Sequence, residues 1–209
     1  MTTIAITTNR LIQPLTTVSL MHLVDFTQEK LHIVMCEQGY TVAENRNYAV
    51  VQAQKNKSDY LLFIDDDMTF PEDTLDTLLA HGKDIVGVKS YSRVLPLKPT
   101  VGLFDENGGY MSPEVYPFWE KEIPTELFKA YHVGTGLMLI NMKVFDKIKS
   151  PYFEFTYHEN GMVNNGEDGN FCIKAREAGY KINVFADVKI GHIGSLYVLP
   201  DGKITVLNI

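Results

Sequence analysis

The chain has 209 residues, 45% of them hydrophobic and 22% charged, with a formal net charge of −7. That apolar content supports a buried core and excludes a disordered chain, while the acidic balance argues against a general nucleic-acid binder, which needs basic surface to replace phosphate counterions. No stretch reaches the ~18 apolar residues that span a bilayer, and the N-terminus has neither a basic region nor a long apolar run, so no membrane span and a cytoplasmic location are expected.

Short apolar runs alternate with helix-like segments, the pattern of an α/β sheet with crossover helices. Ile4-Ala5-Ile6 reads as a first strand, ended by Thr7, Thr8, Asn9 and Arg10. A helix is expected from about Thr16 to Lys30, with Val18, Met21, Leu23 and Val24 as its apolar face. His32–Cys36 is a second strand, and Ala43 to Lys57 a helix with Ala49, Val50 and Ala53 on one side. Tyr60-Leu61-Leu62-Phe63-Ile64 is a continuous apolar run of the kind buried on both faces of a parallel sheet.

Pro71, Glu72 and Asp73 open a helix running to about His81, and Asp84–Val88 is a further strand. Residues 90–130, rich in Pro, Gly and aromatics and holding Trp119, read as an elaborated surface region. Val133–Ile140 returns to strand character. Glu167 to Ala178 is a helix closed by Gly179, and a Pro200-Asp201-Gly202 turn separates two apolar runs in the tail. Cys36 and Cys172 lie in or beside apolar segments without Cys-x-x-Cys spacing, as buried reduced thiols do. One α/β domain over residues 1–209, with a mostly parallel central sheet, is expected.

Chemistry concentrates in three places. Asp65-Asp66-Asp67 ends the apolar strand, where open α/β sheets bind ligands. Three adjacent carboxylates repel one another, so they are either a solvated acidic turn or the oxygen ligands of a divalent cation. Asp168 shares a helix face with Phe171, Cys172 and Ala175, at offsets of three, four and seven. An inward carboxylate at a helix start is either a cap or a proton acceptor. His192 stands between Gly191 and Ile193, and is either a structural histidine or an imidazole metal ligand. Gly134-Thr135-Gly136 lacks the third glycine of a dinucleotide fingerprint and leads into a strand, so its glycines are read as room for a ligand.

Taken in order, these pieces resemble the GT-A glycosyltransferases, especially the family 2-like members, from Ile4 to about Gly194. The resemblance rests on Arg46-Asn47, on Tyr60–Asp67, on Pro71-Glu72-Asp73, on Gly134-Thr135-Gly136, on Gly166-Glu167-Asp168 and on His192. It implies a Rossmann-like GT-A domain that moves a sugar from a nucleotide-sugar donor to an unidentified acceptor, a nucleic acid not excluded. It implies that Asp67 and His192, with Asp65, bind manganese or magnesium. Thr7, Thr8, Asn9 and Arg10, with Arg46, Asp65 and Asp66, would bind the donor nucleotide. Gly134 and Gly136 would line the sugar pocket, and Asp168, with Glu167, would deprotonate the acceptor. The absence of a Gln-x-x-Arg-Trp element argues against a processive polymer synthase. A nucleotidyltransferase and a non-catalytic nucleotide-sugar-binding module are the competing readings.

Overall fold

The structure is a computed structural model that describes residues 1–8, 11–37, 39–93, 98–111, 126–194, 196–198 and 204–206. Asn9, Arg10, Trp119 and Pro200-Asp201-Gly202 lie outside the described residues. The first half of the chain gives β1 (Thr2–Thr7), α1 (Pro14–Phe26), β2 (Leu31–Cys36), α2 (Val42–Lys55), β3 (Tyr60–Asp65), β4 (Met68–Thr69), α3 (Thr74–Ala80) and β5 (Ile85–Val88). Then follow β6 (Val101–Phe104), β7 (Tyr110–Met111), β8 (Leu127–Ala130), β9 (His132–Val133), β10 (Leu137–Asn141) and α4 (Val144–Lys147). The last part gives β11 (Thr156–Tyr157), β12 (Val163–Asn165), α5 (Glu167–Glu177), β13 (Ile182–Phe185), β14 (Gly191–His192), β15 (Leu196–Val198) and β16 (Ile204–Val206).

Seven strands form the main sheet in the order β2-β1-β3-β10-β5-β13-β8. β1 is parallel to both β2 and β3, and β13 is parallel to β5. β10 runs antiparallel between β3 and β5, and β8 antiparallel outside β13. Five strands therefore share one direction, and the mostly parallel sheet expected from the apolar runs is found. Its interior strand β3 alternates perfectly between two cores. Leu61 and Phe63 pack into a cluster with Ala49, Val50 and Phe171, while Leu62 and Ile64 join Leu23, Leu75 and Leu78 on the other face. All four are fully buried.

Two helices carry the site. Thr41 caps α2 by accepting from the Glu44 N–H at 3.2 Å, and the Glu44 carboxylate accepts from the Thr41 N–H at 2.9 Å, a reciprocal capping box. Arg46, Ala49, Val50 and Ala53 form its buried stripe. Asn47 ties this helix to the chain after α4: its Nδ2 donates to the Phe153 carbonyl at 2.7 Å, and its Oδ1 accepts from the Tyr152 and Phe153 N–H groups. Phe153 is thereby stacked on Phe171 of α5, with ring centroids 4.7 Å apart. Phe171, Cys172 and Ala175 are fully buried, as their spacing predicts. Burial pushes both thiols, Cys36 and Cys172, up to about 12.

Three expectations are corrected. α1 ends at Phe26, not Lys30, and of its four proposed core residues only Leu23 is buried. Thr16 and Leu23 face inward, whereas Val18, Met21 and Val24 are at least 41% exposed. Apolar residues surround this helix, so periodicity could not single out a stripe. Residues 90–130 are not all elaboration, because β8 pairs into the main sheet and Val101 is in the core. The short strand β13 carries a buried Asn183, whose amide is satisfied by the Ile85 carbonyl, and its mixed pattern hid it from the sequence reading. Among the described residues no helix is long and apolar enough to cross a membrane.

Phe63→Ala is expected to cost about 3–5 kcal/mol in urea unfolding, because it leaves a cavity in the core beside the Phe153 ring, whose centroid lies 5.3 Å away. Val18→Ser, on the exposed side of α1, is expected to stay within about 0.5 kcal/mol of the parent.

Candidate functional site

The parallel register sets Thr7 beside Asp65, at the carboxyl ends of β1 and β3. Next to Asp65 across the antiparallel pair comes the entry to β10, where the Asp65 N–H donates to the Gly136 carbonyl at 2.9 Å. Thr7, Asp65 and Gly136 therefore converge on one sheet edge by register alone. The Thr7 hydroxyl donates to Asp65 Oδ1 at 2.6 Å, and the Thr8 hydroxyl donates to the Asp66 carboxylate. Both threonines are almost fully buried, so what they do in this arrangement is orient the carboxylates.

Arg46 enters the same edge from α2. Its guanidinium, 4% exposed, donates through Nη1 to Glu167 and through Nη2 to both Asp65 oxygens, at 3.3 and 3.4 Å. Burial pulls the guanidinium down, but Asp65, Glu167 and Asp168 outweigh it and raise it further above its ordinary value. Glu167 answers in kind: burial pushes its carboxyl up against the opposing pull of Arg46. Arg46 thus joins the end of β3 to the start of α5, two elements a hundred residues apart in sequence. Among the described residues its Nε has no partner, one buried donor left over at the site.

Asp67 is served by a different set of groups. It is buried, and His192 Nε2 stands 3.2 Å from its Oδ1, while Arg93 Nη1 donates to Oδ2. Burial pushes the Asp67 carboxyl up, and His192 and Arg93 together overcome it and hold it below the ordinary range. The His192 position is built by a ladder of two pairs, Gly191 with Thr69 and His192 with Met68, backed by Ile193 N–H donating to the Asp67 carbonyl at 2.8 Å. A Cβ at 191 would sit 2.5 Å from Thr69 Oγ1, so a larger residue there would force the Thr69 side chain to turn. His192 Nδ1 lies 2.8 Å from the Tyr91 carbonyl; as a donor to it, the ring leaves Nε2 for Asp67 or for a cation. Burial draws the imidazole down, but the Asp67 and Tyr91 bonds win and raise it above its ordinary value.

Gly134 and Gly136 form the floor between the two acidic positions. A Cβ on Gly136 would stand 3.3 Å from Asp65 Oδ2, and one on Gly134 would stand 3.2 Å from Thr100 Cβ and 3.6 Å from Asp168 Oδ2. Asp168 is half-buried, and its Oδ1 accepts the Gly169 N–H at 2.7 Å. The more deeply buried acid at the α5 start is Glu167, held by Arg46.

The structure therefore gathers Thr7, Thr8, Arg46, Asp65, Asp66, Asp67, Gly134, Gly136, Glu167, Asp168 and His192 around one edge of the sheet. It divides them differently from the sequence reading. Asp65 is engaged by Thr7 and Arg46, while Asp67 stands with His192, and among the described residues no three His, Cys, Asp or Glu side chains gather closely enough to hold a metal by themselves. Burial pushes the Asp66 carboxyl up, against the Thr8 bond that lowers it. Arg93 was missed, because nothing in its surroundings in sequence marks it. Asp67 and His192 suit a divalent cation nonetheless: a carboxylate and an oriented imidazole are ordinary manganese or magnesium ligands, and substrate phosphates commonly complete such a shell.

Arg46→Met leaves Glu167 buried without its counter-charge and is expected to lower stability by about 3–5 kcal/mol, with Glu167→Gln in the same chain recovering part of it in urea unfolding. The Asp67–His192 pair has a pH signature in chelator-treated protein. The lowered Asp67 contributes stability above its unfolded value of about 3.9, and loses it as pH falls through the folded value. The raised His192 contributes below about 6.5, and loses it as pH rises through the folded value. His192→Gln is therefore expected to depress the melting temperature more at pH 5.5 than at pH 9.

No protein-family model matches this sequence, and none of the curated proteins is significantly similar to it. Solved structures are similar in fold. A197 from STIV matches with a TM-score of 0.62 at 21% identity, over 100% of this chain and 94% of its own. The glycosyltransferase GalNAc-T7, crystallised with UDP, GalNAc and Mn2+, matches with a TM-score of 0.57 at 12% identity over 92% of this chain, which spans 43% of that one. CMP:2-keto-3-deoxy-manno-octonic acid synthetase, complexed with CTP, matches with a TM-score of 0.51 at 11% identity over 88% of each chain. The chain has the GT-A fold, one that a sugar transferase and a nucleotide-binding synthetase both use.

Proposed function

We propose that this chain is a divalent-metal-dependent glycosyltransferase, non-processive and inverting, that takes its sugar from a nucleotide-sugar donor. The observation that carries this reading is the meeting of Asp67 and His192 at the carboxyl edge of the sheet, with Tyr91 orienting the imidazole. Asp67 and His192 would hold manganese or magnesium, and the donor diphosphate would supply further oxygens. Bound there, the cation would stabilise the charge that builds on the departing diphosphate. Arg93 pairs with Asp67, and a cation taking that carboxylate would free its guanidinium to bind phosphate.

The remaining residues divide the other tasks. Asp65, fixed by Thr7 and Arg46, would face the donor nucleotide from β3, and Asn9 and Arg10, next after Thr8 in sequence, would serve the same nucleotide. Gly134 and Gly136 leave the sugar space against the backbone. Asp168 accepts the acceptor proton. Its Oδ2 is turned toward Gly134, while Gly169 holds its other oxygen, and among the described residues no ion pair ties it down as Arg46 ties Glu167. Glu167 acts through Arg46 as a positioning residue. The acceptor is unidentified, and nothing in the charge distribution selects a nucleic acid for that role.

Nucleotide sugars with manganese are expected to raise the melting temperature, since a ligand of the folded state stabilises it. Asp67→Ala should abolish the manganese-dependent part of that rise. Asp168→Asn should keep the rise and lower kcat about 10²–10⁴-fold. Stabilisation by CTP, with pyrophosphate leaving CTP as its cytidylyl group passes to a sugar acid or sugar phosphate, would assign the site to nucleotidyl transfer instead. Donor binding without turnover or donor hydrolysis would leave a binding module.

A further inference from the structure

Beyond Asp168 the glycine floor runs onto a shelf of aromatic rings. β6 and β9 pair antiparallel, with Val101 opposite Val133 and Gly102 opposite His132. His132 and Gly134 are two residues apart, so their side-chain positions share one face. A Cβ on Gly134 would meet Thr100 Cβ at 3.2 Å and Asp168 Oδ2 at 3.6 Å. One on Gly102 would meet the His132 ring at 2.5 Å and Tyr110 Cε2 at 2.6 Å. The bare backbone at Gly102 therefore lets two rings lie directly against it, next along the face from Asp168. Gly136 adjoins Asp65 and Gly134 adjoins Asp168, so the shelf lies at the opposite end of the floor from the proposed nucleotide contacts.

The rings brace one another. Tyr110 stands 5.1 Å from His132 and 5.3 Å from Tyr131 between centroids, and Phe104 meets Tyr131 edge-on at 5.5 Å. The Arg176 guanidinium lies over the Tyr131 ring, 3.5 Å from its centroid. Asp168 and Arg176 both belong to α5, so the helix that presents the carboxylate also anchors the shelf. Packed in this way, Tyr110 is still 44% and Phe104 38% exposed. The negative face of such a ring suits the C–H face of a sugar. Burial draws the His132 imidazole down against the pull of Asp168, which leaves a neutral ring with one donor and one acceptor for hydroxyls. Nucleobases stack on aromatic rings too, but a nucleic acid also needs cations along its phosphates. Asp105 and Glu106 occupy the turn between β6 and β7 instead, and the Arg176 guanidinium faces Tyr131.

Resting on the glycosyltransferase reading, we infer that the acceptor is a carbohydrate and that the shelf of Phe104, Tyr110 and His132 is its subsite. One sugar ring stacks on Tyr110 beside Phe104, and the saccharide crosses His132 to present a hydroxyl to Asp168. As that oxygen bonds to the anomeric carbon of the donor sugar, its proton passes to the Asp168 carboxylate. The bond from the anomeric carbon to the diphosphate breaks, and the nucleoside diphosphate departs with its electron pair.

The full chain, fluorescently labelled, is expected to bind a related group of glycans on an array of hexose, N-acetylhexosamine, deoxyhexose and uronic acid linkages. Tyr110→Ala should weaken that binding about ten-fold or more, while Tyr110→Phe, which keeps the ring, should retain it. Phe104→Ala, on the neighbouring strand, should weaken it as well. In the parent, saturating the aromatic protons should transfer magnetisation to the C–H protons of a bound glycan, a readout that needs no variant to fold. With that glycan as acceptor, Tyr110→Ala should raise the acceptor KM about ten-fold and leave the donor KM unchanged. The manganese-dependent melting rise with nucleotide sugars depends on the donor site alone, and Tyr110→Ala should preserve it. If no nucleotide sugar stabilises the chain while glycans bind through Tyr110, the glycosyltransferase reading fails and the acceptor role falls with it, leaving a saccharide site. An array that captures nothing, glycan binding indifferent to both Tyr110→Ala and Phe104→Ala, or no transfer from the aromatic protons would overturn the subsite. Sugar transfer to a peptide or an oligonucleotide, lost in Tyr110→Ala, would assign the shelf to that acceptor and overturn it equally.

Discussion

A buried guanidinium cannot lose its charge, so everything around Arg46 is arranged to answer it. Its place on the apolar stripe of α2 drives it into the protein with Ala49 and Val50, and the cost of desolvation falls on its partners. Asp65 comes from the end of β3 and Glu167 from the start of α5. Neither partner would be stable alone in that setting, and together they clamp a strand end to a helix start. The Gly134–Gly136 segment passes between the ends so joined, close to Asp65 on one side and Asp168 on the other. An ion pair that is mediocre as a source of stability therefore fixes the distance between the two halves of the site.

That clamp separates two electrostatic regions a few residues apart. Asp65 is neutralised from within by Arg46. Asp67 is balanced by His192 and by Arg93, whose side chain is half exposed and so replaceable. A carboxylate held below its usual range, with one partner an imidazole and the other a solvent-facing arginine, is held as an anion by a partner that can be displaced. Asp65, gripped by a buried group that cannot leave, is not. Adjacent carboxylates of one acidic run thus acquire different chemistry from the side chains that other elements deliver to them.

Much of this was legible in the residues. The run Tyr60–Ile64 declared a strand buried on both faces, and the offsets of Phe171, Cys172 and Ala175 placed α5 correctly. Arg46 falls at the spacing of Ala49, Val50 and Ala53, a signal the sequence reading did not use, and nothing local marks its carboxylate partners. Local pattern could not supply what long-range pairing decides. β10 enters the sheet antiparallel between β3 and β5, and this puts Gly136 beside Asp65. Arg93 meets Asp67 only through the fold of the chain after β5, and α1, apolar on all sides, hid which side faces the core.

The two-pair ladder between β4 and β14 has a consequence for how the protein is made. As the chain leaves the ribosome, β1, β2 and β3 can pair with near neighbours, but β5 has no place beside β3 until β10 has been synthesised and inserted between them. Asp67 then waits still longer, until His192 emerges more than a hundred residues after it. Pairings of such sequence separation pay loop-closure entropy before any contact rewards it, and they form late. Until then the acidic strand end stands on a partly built sheet without the imidazole that balances Asp67. The Asp67–His192 pair is therefore completed late in vectorial folding, and a chain that stops short of His192 lacks it.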